Sequence, residues 1–210
     1  MNITKTVNGY IDQHPSVRDC ITKGLMNYSA LSRAIAADLS LDSEKHFDAL
    51  LIACRRYFDT VKGRETLEGK IKTILKQSRI EVKNKICVVV VEKDVYFTNV
   101  VDLHKEIKSK AETFHMIEGS DTITLITTEQ FLSRIEKLFK EKILKITKEL
   151  AELNLKSSQD MEQTPGVIAH LTTLLAGHGI NIIETMSTWT DTLFVIAEKD
   201  IAKAMDVLRF

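Results

Sequence analysis

Apolar residues recur at helical spacing throughout residues 1–79. Pro15 and Ser16, with Asp19 three positions after the serine, are typical of a helix start, and Gly24 is typical of a helix end. This pattern predicts a short first helix.

Two further helices are predicted by a capping residue followed by an apolar stripe. The caps are residues 27–29 for the second helix and Asp42 or Ser43 for the third. The stripes are Leu31, Ile35 and Leu39 in the second helix, and Phe47, Leu51, Cys54 and Phe58 in the third. A fourth stripe, formed by Leu67, Ile71, Ile74 and Leu75, predicts a connecting helix. Because short helices need tertiary contacts, we expect a small helical bundle over residues 1–79.

From residue 80 onward, short β-rich runs alternate with helical patterns. The predicted order is strand, helix, strand, strand, helix, and it occurs twice. The first set spans residues 85–92, 100–110, 113–118, 122–127 and 129–140, and the second spans 152–158, 166–176, 181–187, 192–197 and 201–208. The chain is therefore expected to be an α+β protein.

Residue identity supports a duplication. The segment 120–123, Ser-Asp-Thr-Ile, aligns with 190–193, Thr-Asp-Thr-Leu, at an offset of 70 residues. We expect tandem ferredoxin-like βαββαβ units at residues 80–149 and 150–210. Residues 142–148 would supply the last strand of the first unit. The second unit lacks such a strand, so its sheet edge requires cover from the first unit or from another subunit, which predicts a homodimer.

Composition limits the class of protein. The 29 basic and 29 acidic residues cancel, although residues 1–79 carry a net charge of +4 and the remainder −4. The longest apolar run, residues 86–91, is far too short to cross a bilayer, so no membrane association is expected. The first five residues do not resemble a secretion signal, and the three cysteines are typical of reduced, buried thiols. A cytoplasmic location is expected.

No arrangement of catalytic groups is visible. The six histidines show no paired spacing with cysteine or acidic residues, so neither a metal nor another cofactor is expected. Residues 177–179, Gly-His-Gly, fit a helix end better than a dinucleotide-binding loop. We therefore expect a protein that is not an enzyme.

One segment suggests a ligand site. Thr164 is a candidate N-cap and Pro165 a candidate first helical residue, which would leave the N–H groups of Gly166, Val167 and Ile168 free. A helix start of this kind attracts carboxylates, and glycine leaves room for a ligand. Taken alone, the segment also fits an ordinary helix start.

Three motifs in residues 164–208 resemble those of an ACT domain, in particular the regulatory ACT repeats of aspartate kinases. They are Thr-Pro-Gly-Val-Ile-Ala at 164–169, Gly-Ile-Asn-Ile-Ile-Glu at 179–184 and Thr-Asp-Thr at 190–192. A weaker resemblance reaches back to residue 80, where the first unit lacks the Pro-Gly signature. The whole arrangement is similar to archaeal proteins described as predicted regulators of amino-acid metabolism.

The resemblance implies a detached regulatory module, because about 80 helical residues stand where an aspartate kinase carries its catalytic domain. It implies that the C-terminal unit binds an amino-acid effector and that the chain acts on a partner enzyme or on DNA. The implied ligand contacts are the amides of Gly166, Val167 and Ile168 for the carboxylate, Asp160 or Glu162 for the ammonium group, and Asn181 and Ile182 to close the pocket.

The alternative is a transcription regulator that reads DNA through its helical module. The second and third helices have lengths compatible with a helix-turn-helix, and Lys45, His46, Arg55 and Arg56 are the candidate DNA contacts. A bundle that packs on a protein partner would show the same pattern.

Overall fold

The structure is a computed structural model that describes residues 2–62, 67–95 and 97–210. The chain divides into two compact units, Met1–Thr66 and Leu67–Phe210. The boundary expected after residue 79 is therefore wrong, because the predicted connecting helix belongs to the second unit.

Residues 2–62 of the first unit form four helices. They are α1 (Ile3–Gln13), α2 (Pro15–Thr22), α3 (Tyr28–Asp38) and α4 (Ser43–Val61). Helix α1 was not predicted, although Val7 and Ile11 form a stripe of two fully buried residues on it. Its start is capped by Asn2, whose side chain accepts a hydrogen bond from the N–H of Lys5.

The predicted caps are correct for two helices and wrong for one. Asn27 accepts from the N–H of Ala30, and Asp42 accepts from the N–H groups of Glu44 and Lys45. In contrast, α2 begins at Pro15 itself, so Ser16 is not a cap.

Helix α4 buries a face that is shifted by about one residue from the predicted stripe. The buried residues are Leu50, Ala53, Cys54 and Tyr57, while Phe47, Leu51 and Phe58 are half-buried. Docking α1 against α4 explains the shift, since the hydroxyl of Tyr57 donates a 2.8 Å hydrogen bond to Asp12 of α1.

In its described residues, the second unit contains six α-helices and six strands. In chain order they are α5 (Leu67–Lys76), β1 (Arg79–Glu92), α6 (Phe97–Ser109), β2 (Phe114–Glu118), β3 (Thr122–Thr128), α7 (Leu132–Phe139), β4 (Ile143–Lys156), α8 (Asp160–Gln163), α9 (Val167–Gly177), β5 (Ile182–Ser187), β6 (Asp191–Ala197) and α10 (Ile201–Val207). Within the described ranges, none of the helices in the chain has both the length and the apolarity needed to cross a membrane.

All six strands form one antiparallel sheet in the order β2-β3-β1-β4-β6-β5. The two central strands, β1 and β4, are each 14 residues long and pair along their whole length. The second half of β1 also pairs with β3, and the second half of β4 pairs with β6. Each long strand therefore serves both halves of the sheet.

This pairing supplies the strand that the second half lacked in the sequence analysis. Residues 79–83 of β1 pair with residues 152–156 of β4, so they extend the β5-β6-β4 half to four strands. Because the cover comes from the same chain, the dimer is not required to complete this sheet. That argument for a dimer is wrong.

The sheet is curled. On its face without helices, one apolar cluster runs across β3, β1, β4 and β6, and Ile117 of β2 and Met186 of β5 pack against it. Register shifts in the β1–β4 pairing, with positive φ at Lys85 (55°) and Glu149 (58°), mark where both long strands bend. The face without helices is thus buried by the sheet itself.

A buried carboxylate lies at this closure. Glu152 of β4, with its side chain 1% exposed, is 2.9 Å from Nε2 of His115 on β2 and 3.7 Å from Nζ of Lys83 on β1. In a flat sheet β2 and β4 would be about 14 Å apart. The His115–Glu152 contact therefore exists because the sheet is curled.

Helices cover the other face of the sheet in two apolar clusters. One cluster joins α6 and α7 to β1 and β3, and the other joins α5, α9 and α10 to β4 and β6. Ile71, Ile74 and Leu75 of α5 are buried in the second cluster. Helix α5 is therefore part of this core and not a free connector.

Two leucines on β4 test the assignment of its faces. Leu153 is fully buried and Leu144 is 55% exposed. We expect Leu153→Ala to lower the free energy of unfolding by about 2–5 kcal/mol, and Leu144→Ala to change it by less than about 1 kcal/mol. Urea denaturation followed by circular dichroism measures both. Equal losses would contradict the assigned register.

The curl also predicts a dependence of stability on pH. Burial raises the pKa of Glu184 on β5, and Lys145 on the first half of β4 opposes this effect. A carboxyl with a raised pKa stabilises the fold below its unfolded pKa, and this contribution is lost as the pH rises through the folded pKa. We therefore expect Glu184→Gln to raise the melting temperature at pH 7 and to have little effect at pH 3.5. Glu136→Gln, at an exposed position, is the matched control, and a Glu184→Gln protein that is less stable at pH 7 would contradict the prediction.

Candidate functional site

An open groove of about 500 Å³ lies between the loop after β4, the start of α9 and the turn that follows β5. Four of the residues expected to bind ligand line it: Glu162, Gly166, Val167 and Ile168. The other lining residues are Met161, Thr164, Ala169, Ser187, Thr188 and Trp189.

Sheet topology decides which part of β5 reaches the groove. Strands β4 and β5 are both antiparallel to β6, so they run parallel to each other and end on the same side of the sheet. The groove therefore lies at the end of β5, near Ser187. Asn181 and Ile182 lie at its start and do not line the groove. Asn181 is exposed, and Ile182 packs against the core beneath α9.

The start of α9 differs from the prediction. Its N-cap is Gly166, and Thr164 instead ends the short helix α8 and donates its hydroxyl to the carbonyl of Asp160 at 2.8 Å. Gly166 has φ 87° and ψ −2°, the values of the third residue of a type II turn, where glycine is strongly preferred after proline. The predicted Thr164 cap is wrong because α8 uses that threonine.

This helix start is polar and open. Within the described residues, no side chain caps α9, and Gly166 is exposed. The first amides of an uncapped helix and the helix dipole favour an anion at this place. Glu162, which is also exposed, places a carboxylate on the same groove, whereas Asp160 is outside the lining.

The third wall of the groove was not expected from the sequence. Ser187 ends β5, Thr188 and Trp189 belong to the turn between β5 and β6, and Trp189 is 58% exposed. An exposed tryptophan beside a groove is typical of a binding surface. The signal in the sequence was a lone tryptophan immediately before the Thr-Asp-Thr motif, in a turn between two strands.

In the first half, the loop that follows β1 carries two ion pairs. Lys142, just before β4, lies 2.7 Å from Asp94 and 2.8 Å from Glu92. The hydrogen bond from Lys142 lowers the pKa of Asp94, and the two carboxylates, Asp94 foremost, raise the pKa of Lys142. The loop after β1 in the first half therefore carries paired charges.

In the first unit, the outer face of α4 carries most of the predicted DNA contacts. Lys45, Arg55 and Arg56 are exposed, but His46 is half-buried. The exposed acidic residues Asp48 and Asp59 lie on the same face of the helix. The face is thus of mixed charge, which differs from the basic surface that phosphate contacts require.

The described residues contain no cluster of three or more histidine, cysteine, aspartate or glutamate side chains that could hold a metal ion. Two of the three thiols, Cys54 and Cys87, are buried, and burial raises the pKa of both, that of Cys87 to about 11. These thiols are therefore poor nucleophiles.

The family model of the ACT domain matches residues 145–209, which contain most of β4 and all of α9, β5, β6 and α10, and hence the whole groove. No curated protein sequence matches the chain.

Two solved structures, from Clostridium acetobutylicum and Synechocystis, share the fold. Aspartate kinase from Clostridium acetobutylicum is 19% identical, with a TM-score of 0.51 over 62% of this chain and 33% of that enzyme. Aspartate kinase from Synechocystis is 17% identical, with a TM-score of 0.50 over 63% of this chain and 26% of that enzyme. The regulatory subunit of aspartate kinase from Thermus thermophilus is 12% identical, with a TM-score of 0.49 over 61% of this chain and 92% of that subunit.

The chain thus spans about a third of the length of the Clostridium enzyme. At this level of identity the likeness to solved structures concerns the fold. The resemblance to ACT-domain proteins and to aspartate kinases, expected from the sequence, is confirmed, and its strongest part is the ACT domain at residues 145–209.

Proposed function

We propose that the protein is a non-catalytic regulator of amino-acid metabolism whose C-terminal ACT unit binds an amino acid. The observation that carries the proposal is the groove, because the ACT match covers all of its lining residues. Its size is in the range of small-molecule sites.

We further propose that the second unit is a pair of ACT units that share their long strands. The same order of strand, helix, strand, strand and helix begins at β1 and again at β4. Each half of the sheet also has the same strand order once the shared strands are counted, β2-β3-β1-β4 and β5-β6-β4-β1. The second of these units carries the ligand.

The proposed contacts follow from the chemistry of the groove. A carboxylate is bound by the amides that open α9, from Gly166 to Ile168, because they form an uncapped helix start. The exposed carboxylate of Glu162 takes the ammonium group. Trp189 packs against the ligand side chain. Asp160, Asn181 and Ile182 are not needed, since they do not line the groove.

Tryptophan fluorescence provides a direct binding assay, because Trp189 is the only tryptophan of the chain and lines the groove. We expect at least one of the twenty amino acids to change its emission in a saturable way. The same compound should stabilise the fold by about 2.7 kcal/mol at 100 times its dissociation constant, measured as a thermal shift. Thermal shift alone serves for tryptophan, which itself fluoresces.

Two further results separate the question of where the ligand binds from the question of whether the protein binds an amino acid at all. If the affinity for a ligand falls in Glu162→Gln but not in Glu136→Gln, the result supports binding in the groove, since Glu136 lies on α7 outside its lining. The absence of any fluorescence change and any thermal shift at millimolar concentrations of all twenty would remove the proposal.

Glycine variants test the turn that opens α9. Gly166→Ala forces an alanine to adopt φ near 87°, so we expect a loss of about 1–2 kcal/mol of stability together with weaker ligand binding. The matched control is Gly177→Ala at the other end of α9, where a methyl group meets no atom within 4 Å and should stabilise by up to about 1 kcal/mol. If urea denaturation shows that the Gly166→Ala protein is as stable as the Gly177→Ala protein, or more stable, the turn geometry is contradicted.

A further inference from the structure

The outer face of α4 has a charge pattern that is complementary to itself. Seven residues, spaced three or four apart, lie within an arc of about 120° on the exposed side of the helix: Lys45, Asp48, Ala49, Ile52, Arg55, Arg56 and Asp59. Three are basic, two are acidic, and the centre is apolar.

Ile52 is 49% exposed at the middle of this face, with the small side chain of Ala49 beside it. Within the part of the chain that the structure describes, no ion pair joins any of the five charged residues to another side chain. The charges and the apolar centre are therefore available to a partner.

We propose that α4 pairs antiparallel with α4 of a second copy of the chain, with the twofold axis at Ile52. In an antiparallel pair centred on residue 52, residues whose numbers sum to 104 lie at the same level. Lys45 then faces Asp59 of the second copy, and Asp48 lies level with Arg56 and one residue from Arg55. The twofold symmetry repeats each of these contacts, and every one of them joins a basic residue of one copy to an acidic residue of the other.

Parallel pairing lacks this complementarity. It would set each residue level with itself, so that Lys45, Asp48, Arg56 and Asp59 would all meet like charges. Charge complementarity also separates a second copy from DNA, because Asp48 and Asp59 would face phosphates on the same surface that offers the three basic residues. The proposal does not depend on the ligand groove.

Disulfide formation at residue 52 tests the pairing in the full chain, whatever contacts the second unit makes. Cys20→Ser removes the half-buried thiol, while Cys54 and Cys87 are buried. In this background we expect Ile52→Cys to form a disulfide-linked dimer under mild oxidation, because the twofold axis places both copies of residue 52 together. Non-reducing gels report the rate.

The matched control is Asp59→Cys on the same face. In the proposed pair the two copies of residue 59 are about 21 Å apart, beyond disulfide reach. We expect Ile52→Cys to cross-link about tenfold faster than Asp59→Cys at equal concentration. Equal rates would overturn the antiparallel arrangement, as would the absence of cross-linking at residue 52.

Charge reversal tests the pattern itself in the Ile52→Cys background. Lys45→Glu places two carboxylates opposite each other and should slow cross-linking by about tenfold, and adding Asp59→Lys should restore it. These two positions are about 21 Å apart along one helix, so restoration requires contact between copies. Each reversal also suits the helix dipole, which keeps the variants folded, as circular dichroism can verify.

If adding Asp59→Lys does not restore the rate of cross-linking that Lys45→Glu has lowered, the proposal is overturned. So would low-salt binding of duplex DNA that protects residue 52 from cross-linking and is lost in Lys45→Glu, since that result would assign the face to nucleic acid.

Discussion

The full-length pairing of β1 with β4 is the constraint on which the second unit depends. Each strand is long enough to belong to both halves of the sheet, and each bends near its middle, at Lys85 and Glu149. The bend lets one sheet bury both of its faces, one under helices and the other against itself. Short strands in its place would leave two half-sheets with open edges.

The groove follows from the same constraint. Strand β4 fixes where the loop before α9 leaves the sheet, and its parallel relation to β5 brings the turn at Trp189 to the same end. Gly166 then allows the sharp change of direction from the end of α8 into α9. A polar helix start, a carboxylate and an exposed tryptophan thus meet around one opening, although they are distant in sequence.

Local signals predicted local structure well. Short β-rich runs identified the strands around Val89 and Phe194, and side chains at Asn27 and Asp42 cap the helices as expected. The predictions that were wrong required knowledge of neighbours. Helix α1 and the orientation of α4 depend on how the two pack, and Thr164 was taken for a cap because the preceding turn of helix is four residues long. The candidate site was found in part, since the turn at Trp189 joins it only through the sheet.

The sequence by itself determined the order of the main strands and helices from residue 80 onward, because this order depends on residues a few positions apart. Tertiary structure alone decided that β1 completes the second half of the sheet, that α5 belongs to its core, and that the end of β5 and not its start lines the groove. These outcomes depend on register and strand direction between segments tens of residues apart, and backbone hydrogen bonds set both without a sequence signature of their own.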